Sequence, residues 1–214
     1  MSEQPVITTV VVGPLQVNCY IVACPTSREA LIVDPGDDAD RILDAVRTSG
    51  LRVVHIVNTH GHFDHIGGNR AVVAATGASL AIHAADLPLL QRAQAHAQLY
   101  GLHAEPSPQP ARLLADGDLV TFGTQSCRVI HLPGHSPGGI ALHCGTHLFV
   151  GDVLFAGSIG RTDLPGGSHD TLVAGIQARL WPLPGDTIVH PGHGPDTTIA
   201  REKRSNPYVG VGAD

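Results

Sequence analysis

Six consecutive positions, His60-Gly61-His62-Phe63-Asp64-His65, carry four side chains able to ligate a metal. They follow the apolar run Val53-Val54-His55-Ile56-Val57, which reads as a buried strand. Turn chemistry does not call for three imidazoles and a carboxylate at a strand end, and charge is rarely buried unpaired. A divalent cation satisfies all four groups at once, because neutral imidazole and carboxylate both bind zinc. The chain holds 14 histidines, so chance clustering is the competing explanation, and a His-rich tag is another. Tags, however, are contiguous and terminal.

Three more positions repeat a pattern of short strand, glycine turn and ligand-type residue. His135 follows Val129-Ile130-His131-Leu132-Pro133-Gly134, Asp152 follows His147-Leu148-Phe149-Val150-Gly151, and His193 follows Ile188-Val189-His190-Pro191-Gly192. Each alone reads equally well as a polar loop residue, or for Asp152 as a turn former. With the first cluster they make seven candidate ligands, five His and two Asp.

Seven exceeds the four ligands of a tetrahedral zinc. It suits two metals about 3.5–4 Å apart with a carboxylate between them. His60 and His62 alternate, so both can converge on one metal if the segment is extended. Asp64 and His65 can then turn to a second, the downstream histidines complete each set, and Asp152 is the natural bridge.

The string Thr59-His60-Gly61-His62-Phe63-Asp64-His65, with the later His, Asp and His, closely resembles the metallo-β-lactamase superfamily. That resemblance implies an α+β fold, a four-layer αββα sandwich with a dinuclear site at one edge of two sheets. It implies His60, His62 and His135 on one metal, Asp64, His65 and His193 on the other, and Asp152 bridging. Val33-Asp34-Pro35-Gly36, Gly160-Arg161-Thr162-Asp163 and the stretch Arg201 to Tyr208 are most similar to single-domain, glyoxalase II-like hydrolases. Such enzymes are hydroxyacylglutathione hydrolases, which cleave a thioester.

Length and composition fit one globular domain over residues 1–214. A net charge of -6 offers no basic stripe for nucleic acid. No run approaches a membrane span, and no signal-like segment is evident. Cys19, Cys24, Cys127 and Cys144 lack CxxC spacing and read as four reduced thiols in a cytoplasmic protein. The sequence says nothing of oligomeric state.

Strands are expected at Val6–Val12, Cys19–Ala23, Ala30–Asp34, Gly117–Phe122, Ser126–His131, Ile140–His143, Leu148–Val150 and Ile188-Val189. Helices are expected at Asp40–Ser49, Ile66–Thr76, Ala84–Leu99 and Ser168–Leu180, the last capped by Ser168. His103–Pro110, with three prolines, reads as a loop beside the mouth of the site.

Neither a GxSxG elbow nor a recognisable Cys–His arrangement is present, so the nucleophile is expected to be water. Two divalent metals, zinc by preference with iron or manganese as alternatives, would lower the pKa of that water from about 15.7 towards 7. The bridging hydroxide would attack the acyl carbon, with Asp64 and Asp152 orienting it. A thiolate is a good leaving group, so a site lacking an evident general acid suits a thioester such as S-D-lactoylglutathione. Arg161, Lys203 and Arg204 are candidates for binding the anionic carrier. Arg161 could instead pair with Asp163, and the other two could be solvated surface. With 21 residues after His193, a separate glutathione-gripping domain is not expected.

The main rival is a mononuclear iron persulfide dioxygenase acting on glutathione persulfide, which shares the Gly160-Arg161-Thr162-Asp163 type of loop. A β-lactamase is disfavoured by the aspartate at position 152, a flavo-diiron role by His62, and a tRNA-processing nuclease by length and charge. A zinc-stabilised binding module is weakest, because structural zinc sites are closed and usually cysteine-rich.

Overall fold

The computed structural model describes residues 4–211. One six-stranded sheet contains β1 (Val6–Val12), β2 (Val17–Ala23), β3 (Glu29–Val33), β4 (Arg52–Val57), β5 (Ser79–His83) and β6 (Arg112–Leu114), in that order. The second six-stranded sheet is built from β7 (Leu119–Phe122), β8 (Gln125–His131), β9 (Ile140–Cys144), β10 (His147–Gly151), β13 (Ile188–Pro191) and β14 (Thr197–Thr198). Its order is β14-β13-β10-β9-β8-β7. A small ribbon, β11 (Leu154–Phe155) with β12 (Ser158–Ile159), stands apart.

The expected four layers are present. Between the sheets, Tyr20, Leu31, Val33 and Val57 from the first meet Phe122, Val129, Leu142 and Phe149 from the second. The outer face of the first sheet is covered by α1 (Ala39–Thr48) and α3 (Asn69–Thr76), through Ile42, Val46 and Val72. The outer face of the second is covered by α5 (His169–Arg179) and α6 (Ile199–Ser205), through Leu172, Ile176 and Ile199. Every residue of β2 is buried, as a central strand covered on both faces requires. A fourth cluster joins α2 (Phe63–Ile66) to α4 (Leu87–Leu99) through Phe63, Ile66, Leu90 and Ala93.

Strand direction brings the candidate residues together. β3 and β4 pair in parallel, so the segments that leave them emerge at one edge. In the other sheet β10 and β13 are parallel, and β8 runs with β10 because β9 is antiparallel to both. The segments after β4, β8, β10 and β13 carry His60–His65, His135, Asp152 and His193.

Several expectations need correction. The helix expected over 66–76 is two helices, because Gly67 and Gly68 press against the Gly36 and Pro35 carbonyls and the Gly68 amide donates to Pro35 at 2.8 Å. Ala84–Asp86 is a 3-10 turn, and α4 begins at Leu87. β5 and β6 went unread, being short strands fixed by parallel pairing with distant partners. The sequence expectations contain no helix at α6; Thr198 caps it by accepting from the Arg201 amide at 3.3 Å. Ser168 caps α5 as expected.

The four thiols are not all reduced. Cys127 and Cys144 form a disulfide, while Cys19 and Cys24 are free and buried. The β8–β9 register pairs Arg128 with His143, which sets Cys127 opposite Cys144. A separation of 17 residues hid that pairing from a spacing argument. Among the described residues no helix is long and apolar enough to cross a membrane.

The inter-sheet core makes a direct stability prediction. Leu31 is fully buried between the layers. Leu31→Ala should lower unfolding stability by about 2–5 kcal/mol in urea titrations of metal-free protein. A loss below about 0.5 kcal/mol would mean the two sheets are not packed through this side chain.

Candidate metal centre

The seven candidate residues form two groups with Asp152 between them. In the first, His135 Nε2 lies 2.9 Å from His62 Nδ1 and 3.3 Å from His60 Nε2. In the second, His65 Nε2 lies 3.7 Å from Asp64 Oδ2, and His193 Nε2 lies 3.4 Å from the same oxygen. Each triad presents one donor atom per residue within 4.8 Å of the others, as a metal site requires. Asp152 Oδ1 is 3.4 Å from His65 Nε2, and its Oδ2 is 3.7 Å from His135 Nε2 and 3.6 Å from His193 Nε2. One carboxylate therefore reaches both groups.

The donor set fits a cation on a structural criterion. His65 Nε2 and Asp152 Oδ1 are buried and, among the described residues, lack a hydrogen-bond partner. Leaving such groups unsatisfied costs about 1–3 kcal/mol each, more when charged. A metal between them would use both. The five imidazoles and two carboxylates suit zinc, iron or manganese, and their two groups fit a dinuclear site.

Electrostatics agree. Burial drives the imidazoles of His60 and His62 down, His62 to about 3, with neighbouring histidines adding to the effect. Both are thus neutral near pH 7, the form that ligates. Burial also opposes a charge on His65, but the carboxylates of Asp152, Asp64 and Asp34 outweigh it and raise its pKa. Burial would raise Asp152, yet His65, His135 and His193 hold it well below the usual carboxylate range. The site is a pocket of fixed negative charge that keeps a positive one inside.

A layer of hydrogen bonds aims the rings. Asp34 Oδ2 sits 3.0 Å from His65 Nδ1, which leaves Nε2 for the site. The same carboxylate accepts from the Thr59 amide at 2.7 Å and the Thr59 hydroxyl at 2.6 Å. His135 Nδ1 meets the Arg161 carbonyl at 2.8 Å, and His193 Nδ1 meets the Leu15 carbonyl at 3.0 Å. Histidine ligands are commonly fixed this way through the nitrogen that does not bind metal. Asp86 ties two segments together, accepting from the Gly61 amide at 2.9 Å and the Ser136 hydroxyl at 2.8 Å. A Cβ at Gly192 would collide with Asp152 Oδ1 and approach His65 to 2.7 Å, so only glycine allows this backbone so close.

Sequence reading quoted Asp34 only within a family motif and missed its role, although Asp34-Pro35-Gly36 repeats the pattern of a strand end beside glycine. Asp86 had no such signal, since it lies inside what reads as a helix.

Beside the metal groups a cleft of about 280 Å³ is walled by Leu15, Phe63, His96, Tyr100, Arg161 and Leu164. Arg161 makes the ion pair considered for it: Nε and Nη2 each reach Asp163 at 2.8 Å, on an exposed surface. It also lines the cleft. Lys203 and Arg204 do not line it. They sit on α6 along a separate groove, with Lys203 Nζ donating to the Trp181 carbonyl at 3.2 Å. Helix formation by residues 199–205 places them on that groove, apart from the metal groups, which corrects their candidacy for binding the anionic carrier there and accords with exposed surface.

The family model described as the metallo-beta-lactamase superfamily matches residues 12–193. A hydroxyacylglutathione hydrolase GloC of Haemophilus influenzae is 36% identical over 202 residues, covering 92% of this chain and 95% of its own. Among solved structures, BLEG-1 B3 metallo-beta-lactamase superposes with a TM-score of 0.90 at 38% identity, covering 95% of this chain and 99% of that one. TTHA1623 in a di-iron-bound form gives a TM-score of 0.87 at 43% identity, with 94% and 99% covered.

The ring-aiming layer can be tested directly. Asp34→Asn keeps the shape of the side chain and removes the charge facing His65. Zinc affinity, measured by competition with a chromophoric chelator, should fall about 10- to 100-fold. Unchanged affinity would show that Asp34 does not orient the ring.

Proposed function

The chain belongs to the metallo-beta-lactamase superfamily, a metal-dependent hydrolase family here, and on that premise we propose that it is a dinuclear thioesterase of the glyoxalase II-like kind. Its substrate in this reading is an S-acylglutathione such as S-D-lactoylglutathione. The observation that carries the proposal is Asp152, whose two oxygens address two imidazole groups at once. The Haemophilus relative, similar over nearly the full length, supports the substrate class.

In this reading His60, His62 and His135 would hold one metal and Asp64, His65 and His193 the other, with Asp152 shared between them. Zinc is the preferred ion, and the di-iron neighbour keeps iron in play. When bound, the metal pair supplies an ionised water near pH 7 and a Lewis acid for the acyl carbonyl. The carboxylates of Asp152 and Asp64 would accept a hydrogen bond from a water held there and so orient it. Phe63, Leu15 and Leu164 give the cleft an apolar wall beside the metal groups. Among the described residues lining the cleft, Arg161 is the lone Arg or Lys, and in this account it binds an anionic group of the substrate. A thiolate departs without a strong acid beside it. The chain forms one hydrolase domain in this account.

A mononuclear iron persulfide dioxygenase would use one triad and leave the second, with its buried unsatisfied His65 Nε2, without a role. β-Lactam hydrolysis is a second reading favoured by the likeness to BLEG-1. Nitrocefin turnover matching thioester turnover would select it.

Asp152→Ala should reduce bound metal from two equivalents towards one and cut thioester hydrolysis at least about 100-fold. Two equivalents retained, by elemental analysis of freshly purified protein, would refute bridging. For Arg161→Ala, KM for S-D-lactoylglutathione should rise several-fold with kcat preserved, the pattern of lost uniform binding. A fall in kcat at constant KM would instead tie Arg161 to the transition state.

A further inference from the structure

The edges of the two large sheets are β1, β6, β7 and β14, and they are not alike. β6 has three residues and β14 two, and Arg112 on β6 donates from Nη1 to the Leu119 carbonyl of β7 at 3.1 Å. Edges that are short or plugged by a cation offer little to a neighbouring strand. β1 is different. It runs for seven residues, Val6-Ile7-Thr8-Thr9-Val10-Val11-Val12, with no charge and no proline, and among the described residues it pairs with β2 alone. Val6 is 55% exposed and Val11 45%.

Hydrogen bonding shows which main-chain groups of β1 are free. Asn18 lies opposite Val11, yet its amide donates to the Gly192 carbonyl at 2.8 Å. The Val11 carbonyl in turn accepts from Arg41 Nη1 at 2.9 Å. Val11 and Asn18 are therefore opposed without exchanging hydrogen bonds, and the polar groups of Val11 point away from β2. Alternation along an antiparallel strand gives Ile7 and Thr9 the same outward aspect. Their N–H and C=O groups form a row that a further strand can complete.

We propose that β1 is the contact surface of a two-fold symmetric dimer, in which it pairs antiparallel with β1 of a second copy of this chain. The register follows from the free groups. Arg41 occupies the Val11 carbonyl, so Ile7 of each copy lies opposite Thr9 of the other, and each such pair exchanges two main-chain hydrogen bonds. Thr8 then meets Thr8 on the two-fold axis, with Val6 opposite Val10 on the same face. The two six-stranded sheets become one continuous sheet across the dimer.

Charge and symmetry favour a second copy over a foreign strand. Strand addition by an unlike peptide gains its specificity from the side chains beside the edge. Here the row is uncharged and β-branched, so two-fold symmetry sets no like charges opposite one another and pairs side chains that stabilise sheets. On a chain of net charge -6, this uncharged strip is where two copies approach with least repulsion.

Sedimentation velocity of zinc-loaded protein should show monomer giving way to dimer between about 1 and 100 µM, as a small interface allows. Thr8 is exposed, so the monomer tolerates a charge there. Thr8→Lys and Thr8→Glu proteins should each remain monomeric at about 100 µM, because like charges meet on the axis, and an equimolar mixture should recover the dimer. Thr9→Pro, which removes an N–H that β2 does not use, should also abolish the dimer. A parent protein that stays monomeric throughout, a dimer that survives Thr8→Lys, or a mixture of the charged variants that fails to associate would overturn the proposal.

Discussion

The Asp152 carboxylate lies buried between two groups of imidazoles, and the arrangement of the whole site depends on it. Its Oδ2 lies between His135 of one group and His193 of the other, while Oδ1 faces His65 and has no hydrogen-bond partner among the described residues. Uncompensated charge in such a place is expensive, and cation binding is the economical resolution. The three carboxylates around His65 point the same way. Folding thus gathers carboxylates and imidazoles into a site that favours positive charge.

Holding that geometry is the work of parallel strands. Ligand-bearing segments leave β4, β8, β10 and β13 at one edge, and Asp34 leaves β3 there too. Loops on such edges would wander without cross-links. Asn18 ties the sheets together, with its amide donating to Gly192 at 2.8 Å and its side chain to the Pro191 and Gly194 carbonyls. Ile140 donates to the Thr59 carbonyl at 2.9 Å, and Asp86 joins the His60–His65 segment to the His135 loop. The ligands are placed by a rigid frame and oriented by its hydrogen bonds, so small errors in the supporting residues reach the metals.

Much of this was legible because it is local. His60–His65 announces itself within six positions, and the recurrent strand, glycine, ligand pattern marks His135, Asp152 and His193. The αββα layering followed from family resemblance carried by those same residues, and the sheets confirm it. What stayed hidden is non-local. The Cys127–Cys144 bond needs the β8–β9 register, β5 and β6 need their partners, and Asp86 becomes visible only when two loops meet. Lys203 and Arg204 went astray for the same reason: charge was readable, but the direction in which α6 turns it was not.

Anomalous diffraction from crystals of metal-reconstituted protein tests the central claim most directly. The account predicts two peaks about 3.5–4 Å apart, with Asp152 in contact with both. A single peak confined to the His60, His62 and His135 group, with Asp152 turned away, would contradict it.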